Sequence, residues 1–393
     1  MSPPAAEVDV QSSTPAVQPV TKTVESIKSN SASRLDGPLT YSGSLDSEEQ
    51  FDVTAVIGRE FPKLQLSEIL KDDTKLRDLA VLVSQRGVVF FRNQAINIDD
   101  QKYLGQRLGE LTGKPETSKL HRHALSNSKR GIAVDENGKL DDEVSVISSE
   151  QNRKFYHDRF SSLSKSLAGE GWHAELVNSH ANNWSRSKLT AACSITFEHI
   201  PSDYAILKII QPPEDVGGDT LWASGYELYD RLSPPIQKLA ESLTATHHQP
   251  NFVRVKNEFG QELIDENRGS PENKGLDFKA EHPVIRTNPV TGWKSLFAAG
   301  HQLTAGHING VTETESEILK NYFRQLITEN HDLQVRFRWG KNDLAIWDNR
   351  SVFHTATNDY IGKRQGNRVV SLGEKPYFDP ASQSRREALA HGQ

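Results

Sequence analysis

The chain has 393 residues, with 46 Lys plus Arg against 52 Asp plus Glu, a net charge of −6 and a pI near 6.2, so it lacks the basic footprint of a nucleic-acid-binding protein. No apolar run approaches the roughly 18 residues that a membrane span needs, and the N-terminus has no hydrophobic signal-peptide core; a soluble, cytoplasmic protein without nucleic-acid or membrane partners is the expectation. Cys193 is the only cysteine, which excludes an intrachain disulfide and a multi-cysteine metal site.

Residues 1–45 are rich in Ser, Thr, Pro, Ala and Val without periodicity, a composition that cannot bury enough apolar area to offset chain entropy. They are predicted to be a disordered tail, followed by a single domain over 46–380 and a C-terminal tail over 381–393. Leu66, Ile69 and Leu70, then Leu76, Leu79, Ala80 and Leu82, recur at helical spacing and predict two short amphipathic helices. Gly87 opens the apolar run Val88-Val89-Phe90-Phe91, which suits a buried strand. Asp99 and Asp100 are placed to cap a helix running through Leu104 and Leu108 to Leu111. His121 and His123 follow in a polar loop, where solvated side chains are the plain expectation. One strand is predicted at Val144-Ser145-Val146-Ile147.

Further on, Gly171-Trp172-His173-Ala174-Glu175 places an imidazole and a carboxylate two residues apart. On an extended strand such residues point to the same side, so His173 and Glu175 can occupy adjacent positions on one metal ion. Asp203 to Ile210 reads as a strand, Gly217-Gly218-Asp219-Thr220-Leu221-Trp222 as a turn into another, and Tyr226 to Leu232 and Pro235 to Leu243 as helices. Residues 256–280, charged and rich in Gly and Asn, have the look of a surface excursion. His282 to Arg286 and Trp293 to Phe297 are predicted strands joined by the Asn288-Pro289-Val290-Thr291-Gly292 turn, and Glu313 to Ile327 an amphipathic helix. His301, His307 and His331 have no acidic partner at ligand spacing. Asp343 to Asp348 is a strand leading to His354. Many short strands with a few helices predict a mainly β fold with flanking helices, a double-stranded β-helix or jelly roll.

His173, Glu175 and His354 together make the two-histidine, one-carboxylate facial triad of non-haem Fe(II) oxygenases, which leaves three positions open. An isolated His-x-Glu pair is otherwise an ordinary surface feature. The ordered set Trp-His-x-acid, Gly-Gly-Asp-Thr-Leu-Trp at 217–222, Trp-Asp-Asn-Arg-x4-His ending at His354, and Arg364-x3-Arg368-x4-Gly-Glu-Lys-Pro resembles the taurine/2,4-dichlorophenoxyacetate family of Fe(II)/2-oxoglutarate-dependent dioxygenases, and is most similar to its fungal sulfonate-dioxygenase branch. The resemblance runs from about Phe61 to Pro380. It implies Fe(II) as cofactor on His173, Glu175 and His354, with 2-oxoglutarate as co-substrate held by Thr220 and Arg364. Arg364 can pair the distal carboxylate in bidentate fashion, and Thr220 is a co-substrate contact by the family match. The resemblance further implies a small anionic substrate met by His121, Arg368 and Ile195, with molecular oxygen as the second substrate. An alkylsulfonate such as taurine would be converted to an aldehyde and sulfite, alongside succinate and CO2. Sulfate esters and aryloxyacetates are alternative substrates in such a family. Dimers or tetramers are common in it, so a homo-oligomer is expected.

Two features depart from the family pattern. The metal carboxylate is normally an aspartate and leads directly into a segment like Ile195-Thr196-Phe197-Glu198, the continuation of the strand. Here it is Glu175, and the nineteen residues 176–194 intervene. A long loop beside a metal ligand can be a functional lid. The preferred reading is translated intron sequence: nineteen codons preserve the frame, Leu189-Thr190 and Cys193-Ser194 can be encoded by branch-point-like and acceptor-like sequences, and a junction within the codon would restore aspartate in place of Glu175. Two alternatives from other classes stand beside the dioxygenase. One is a catalytically inactive jelly-roll protein that binds an anion through Arg364 and Arg368. The other is a zinc hydrolase with the same three ligands.

Overall fold

The computed structural model describes residues 35, 37–151, 172, 195–300, 303, 305–357 and 359–391. In chain order its strands are β1 (Phe51–Asp52), β2 (Arg59–Phe61), β3 (Val88–Phe91), β4 (Val144–Ser148), β5 (Ser202–Gln211), β6 (Thr220–Ser224), β7 (Thr244–His248), β8 (Lys279–Pro283), β9 (Ile285–Thr287), β10 (Lys294–Leu296), β11 (His307–Ile308), β12 (Gln334–Phe337), β13 (Leu344–Asp348), β14 (Val352–Ala356) and β15 (Gln365–Leu372). The helices are α1 (Leu66–Ile69), α2 (Asp73–Arg86), α3 (Ile98–Leu111), α4 (Asn127–Arg130), α5 (Gly225–Asp230), α6 (Pro234–Glu241), α7 (Asn251–Phe259), α8 (Glu313–Glu329) and α9 (Arg385–Ala390). The fold is mainly β with helices packed outside, as the sequence predicts.

The major sheet has the order β1-β2-β3-β13-β5-β15-β4, antiparallel except for β2 beside β3. A second sheet, β12-β6-β14, lies face to face with it. The alternation of side chains decides what each face does. Val88, Phe90, Ala205, Leu207, Trp347 and Val370 point inward to meet Trp222, Val335, Phe337 and Val352 of the second sheet, with Phe90 stacked 4.2 Å from Phe337 and 5.3 Å from Trp222. Val89, Phe91, Tyr204, Ile206 and Ile346 point the other way, under α2 and α3. The major strands are buried on both faces, which is why they read as continuous apolar runs. The outer face of the second sheet is covered by α5, α6, α8 and the small sheet β11-β7-β8.

Three boundaries differ from expectation. The helix at 98–111 is capped by Asn97, whose Oδ1 accepts the Asp100 amide at 2.9 Å, and not by Asp99 or Asp100; those two carboxylates sit in the first turn, where the helix dipole favours them. The tail expected to run to residue 45 ends sooner: Leu45 is fully buried against α2, and Asp78 of that helix accepts hydrogen bonds from the amides and hydroxyls of Ser42 and Ser44 at 2.7–2.9 Å. Short polar residues there satisfy a buried carboxylate rather than solvate a free chain. At the other end, α9 replaces the expected tail, docked by Arg385 and Arg386 on the two oxygens of Glu227 in α5 at 2.9 and 2.7 Å. No helix among the described residues is long and apolar enough to cross a membrane.

Candidate active site

The inward face between the two sheets carries the polar exceptions to an apolar core. On β6, Thr220 shares the inward parity of Trp222; on β14, His354 shares that of Val352 and stands opposite Trp222 in the register. On β15, Arg368 shares the inward parity of Val370 and Leu372, and Arg364 immediately precedes the strand. A register irregularity between Gln365 and Gly366 separates Arg364 from the regular part of the strand.

Trp347-Asp348-Asn349-Arg350 is the device that places His354. Arg350 donates to both oxygens of Asp348 at 2.7 and 2.8 Å, and Ser84 and Asn288 complete the carboxylate at 2.7 and 2.9 Å. Trp347 donates from Nε1 to Asn349 at 2.7 Å. All of this lies in the buried turn from β13 into β14. The Arg350 guanidinium, with the Ser84 and Asn288 donors, holds the Asp348 carboxyl below its ordinary range although burial opposes this. His354 then sits buried between Trp347, 4.9 Å away, and Trp222, 6.4 Å away. Burial, reinforced by the Arg368 charge, pushes its pKa well below the ordinary value. The ring is neutral, the form in which imidazole binds a metal.

Gly217 and Gly218, at φ +112° and +71°, build the turn before β6. A Cβ on Gly218 would lie 3.0 Å from Arg364 Cδ, so glycine lets the guanidinium approach the backbone. Arg364 donates from Nε to the Gly218 carbonyl at 3.0 Å, is almost fully buried, and has no partner for Nη2. Burial lowers its pKa. Asp219, next to Gly218 and the acid whose charge acts on Arg364, is engaged by Arg336 at 2.7 Å. Among the described residues Arg364 has no carboxylate hydrogen-bonded to it, and a buried cation so placed is costly. Trp339 donates to Thr220 Oγ1 at 3.0 Å, which leaves the Thr220 hydroxyl hydrogen as a donor.

The third group lies around His121. Contrary to the expectation for a polar loop, His121 is buried. Its amide donates to the Val370 carbonyl at 2.8 Å, which lays the segment along β15. Its Nε2 is 3.7 Å from Glu198 Oε1. Burial lowers the His121 pKa and the Glu198 carboxylate opposes the shift, while Arg268 and Arg368 add to it. Glu198 itself is paired with Arg268 through two hydrogen bonds at 2.5 and 2.8 Å. Ile195 is buried in the cluster that contains Trp222, Val370 and Leu372. The segment 195–198, expected as a strand, is a turn. It is held by His282, which donates from Nε2 to the carbonyls of Thr196 and Glu198 at 2.8 and 3.1 Å, and by His247, whose Nδ1 is 3.0 Å from Thr196 Oγ1. Burial takes His247 down to about 3 and His282 well below its ordinary value, so both rings are neutral.

The excursion expected at 256–280 is likewise corrected: Arg268, Ser270 and Asn273 are buried, and Asn273 brackets Ile200 with bonds of 2.9 and 2.7 Å. Sequence reasoning missed Glu198, Arg268 and Trp339 as parts of this region. His173, Glu175 and the segment 176–194 lie outside the described residues, as does His301. His307 and His331 are exposed. Among the described residues no cluster of three His, Cys, Asp or Glu side chains could hold a metal.

A family model described as "Taurine catabolism dioxygenase TauD, TfdA family" matches residues 49–371. The chain belongs to that family. Members are alpha-ketoglutarate-dependent dioxygenases, with Fe(II) as cofactor and 2-oxoglutarate as co-substrate. An alpha-ketoglutarate-dependent dioxygenase of Neocamarosporium betae is 47% identical over 89% of this chain and 98% of its own length, and one of Aspergillus oryzae is 43% identical over 90% and 96%. An alpha-ketoglutarate-dependent sulfonate dioxygenase of Saccharomyces cerevisiae is 27% identical over 83% of the chain and 67% of its own length. Among solved structures, a taurine dioxygenase from Burkholderia xenovorans aligns with a TM-score of 0.55 at 23% identity, over 86% of this chain and 92% of that one. The dioxygenase thus shares its fold with a structurally characterised relative.

Proposed function

We propose that this dioxygenase hydroxylates a small anionic substrate, an alkylsulfonate such as taurine, at the carbon next to sulfur. The hydroxylated product loses sulfite as its C–S bond breaks, leaving an aldehyde. The single observation that carries the co-substrate half of this reading is the buried Arg364, with no carboxylate hydrogen-bonded to it among the described residues, near the Thr220 hydroxyl, a site suited to the distal carboxylate of 2-oxoglutarate. The two face-to-face sheets are read as the double-stranded β-helix of the family.

Fe(II) would be held by His173, Glu175 and His354, a donor set of the right chemistry, and the neutral, buried His354 fits it. When bound, the metal and 2-oxoglutarate supply oxidative decarboxylation to succinate and CO2, coupled to insertion of one oxygen atom of O2 into a substrate C–H bond. The chain's own work is positional. Arg364 pairs the distal carboxylate and Thr220 donates to it. Trp222, Trp339 and Trp347 exclude water from the space around His354. Arg368 brings a fixed cation toward the substrate's anionic group, with His121 beside it and Ile195 as apolar wall.

Succinate formation from 2-oxoglutarate, assayed with a panel of sulfonates, sulfate esters and aryloxyacetates, tests this. It should be run on the full chain and on one lacking 176–194 with Glu175→Asp. Sulfite release with a sulfonate is the expected result, and turnover confined to the shortened chain would mark the insert as foreign to the working enzyme. Succinate driven only by sulfate esters would replace the sulfonate. Folded, iron-loaded chains that never make succinate would favour the anion-binding protein.

A further inference from the structure

We infer that the buried Glu198–Arg268 ion pair is a positioning device that fixes the tautomer and orientation of His121, and so determines how the substrate's anionic head is received. This rests on the reading of His121 as a head-group residue.

The pair clamps His121 from the backbone and from the side chain. Gly269, beside Arg268, accepts the Lys119 amide through its carbonyl at 2.8 Å, and Arg268 accepts the Arg122 amide at 3.2 Å. The 268–269 backbone thus bonds on both sides of His121, while the His121 amide itself goes to β15. Gly269 has φ +105°, and a Cβ there would lie 2.4 Å from the Leu120 carbonyl. No side chain fits this approach. Arg268 is in turn fixed by five contacts of its own: two to Glu198, two from Nη1 to the carbonyls of Ile264 and Gly275 at 2.9 and 2.8 Å, and the Phe278 ring 5.0 Å below. Glu198 cannot move without breaking the pair. Its peptide carbonyl is held by His282.

Glu198 Oε1 faces His121 Nε2 at 3.7 Å in a site where both side chains are 3% exposed. That is longer than a hydrogen bond, but in so dry a site a carboxylate still favours a proton on the nitrogen facing it. Nε2–H is therefore the held form, and Nδ1 is left as the working atom. Arg268 keeps Glu198 ionised and neutralises its charge toward an incoming anion. Without Arg268, the carboxylate would repel the head group it helps to place. Among the described residues, Arg368 also acts on His121, and the His123 ring lies 6.4 Å away.

The test uses the full chain with the charge-free double variant Glu198→Leu with Arg268→Met, and Glu198→Asp and His121→Gln beside it. The double variant replaces a buried pair by apolar groups of similar size, an exchange that cores tolerate. Long-range proton–nitrogen spectra without added Fe(II), with His121 assigned through His121→Gln, read the tautomer directly. The expected wild-type form is protonated at Nε2, and the double variant gives a mixture. In parallel, with taurine as probe, KM should rise about tenfold or more in the double variant, with the KM for 2-oxoglutarate unchanged and Glu198→Asp restoring part of the loss. An Nδ1-protonated His121 in the wild type, or a tautomer unmoved in the folded double variant, overturns the inference. If the tautomer behaves as expected but His121→Gln leaves the taurine KM unchanged, the clamp stands and the head-group reading of His121 fails.

Discussion

Replacing Arg364 by methionine separates binding of the co-substrate from stability. The guanidinium is buried and, among the described residues, makes one 3.0 Å bond to Gly218 and has no partner for Nη2. Removing it relieves an uncompensated buried charge at the cost of one hydrogen bond, so the unliganded variant should be as stable as the wild type or more so. With 2-oxoglutarate the balance reverses. A bidentate, charge-assisted pair lost from a dry site is worth about 3 kcal/mol, on the order of a hundredfold in affinity. The assay is thermal unfolding under anaerobic Fe(II), with and without 2-oxoglutarate. At a concentration about 100 times the wild-type Kd, ligand contributes about 2.7 kcal/mol of stabilisation, which raises the wild-type Tm. The variant should show almost none of this rise. A variant with the full wild-type shift would refute the assignment of Arg364, and a large drop in unliganded Tm would refute the claim that its charge is unpaired at rest.

Other consequences follow from the same geometry. Thr220→Val keeps the shape but removes the hydroxyl; the KM for 2-oxoglutarate should rise roughly five- to tenfold, about 1 kcal/mol, in a steady-state succinate assay. Asp348 has its pKa depressed by Arg350 and its hydrogen-bond donors, so the stability it contributes is present above its ordinary value of 3.8 and lost as pH falls through the lower folded value. Asp348→Asn takes the hydrogen-bonded anion from buried Arg350, leaving Glu374 3.7 Å away, and should cost about 3 kcal/mol at neutral pH, with a flatter acid limb of the stability curve in denaturant titrations. Gly269→Ala forces a Cβ onto a carbonyl and a φ that alanine resists; a loss of about 1–3 kcal/mol and a raised substrate KM are expected, whereas wild-type values for both would show that the loop can yield.

The β framework and half of the site were legible because strand periodicity and short-range motifs carry them. Val88 to Phe91, Asp203 to Ile210 and Asp343 to Asp348 alternate between two buried faces and so announce strands whatever lies around them. Gly217 and Gly218 announce a turn, and Trp347 to His354 places a buried ion pair and the candidate ligand within eight residues. What was not legible is what depends on partners distant in the chain. Arg268 sits in a charged, Gly/Asn-rich stretch whose composition is that of a solvated loop, and the carboxylate that neutralises it, Glu198, lies seventy residues earlier. His121 looks solvated for the same reason. Ser42 and Ser44 look like tail until Asp78 is seen to need four donors. A buried Arg or Asp in a polar segment is visible from sequence only when both halves of the pair are in view.

The measurement that tests the central claim most directly is oxygen-dependent succinate and sulfite release from taurine and its homologues by the chain lacking 176–194 with Glu175→Asp, compared with the same chain carrying His354→Ala. Equimolar succinate and sulfite in the first, and neither in the second, is the predicted result. Sulfite-free succinate with a different anion would contradict the sulfonate assignment, and activity that survives His354→Ala would contradict the site.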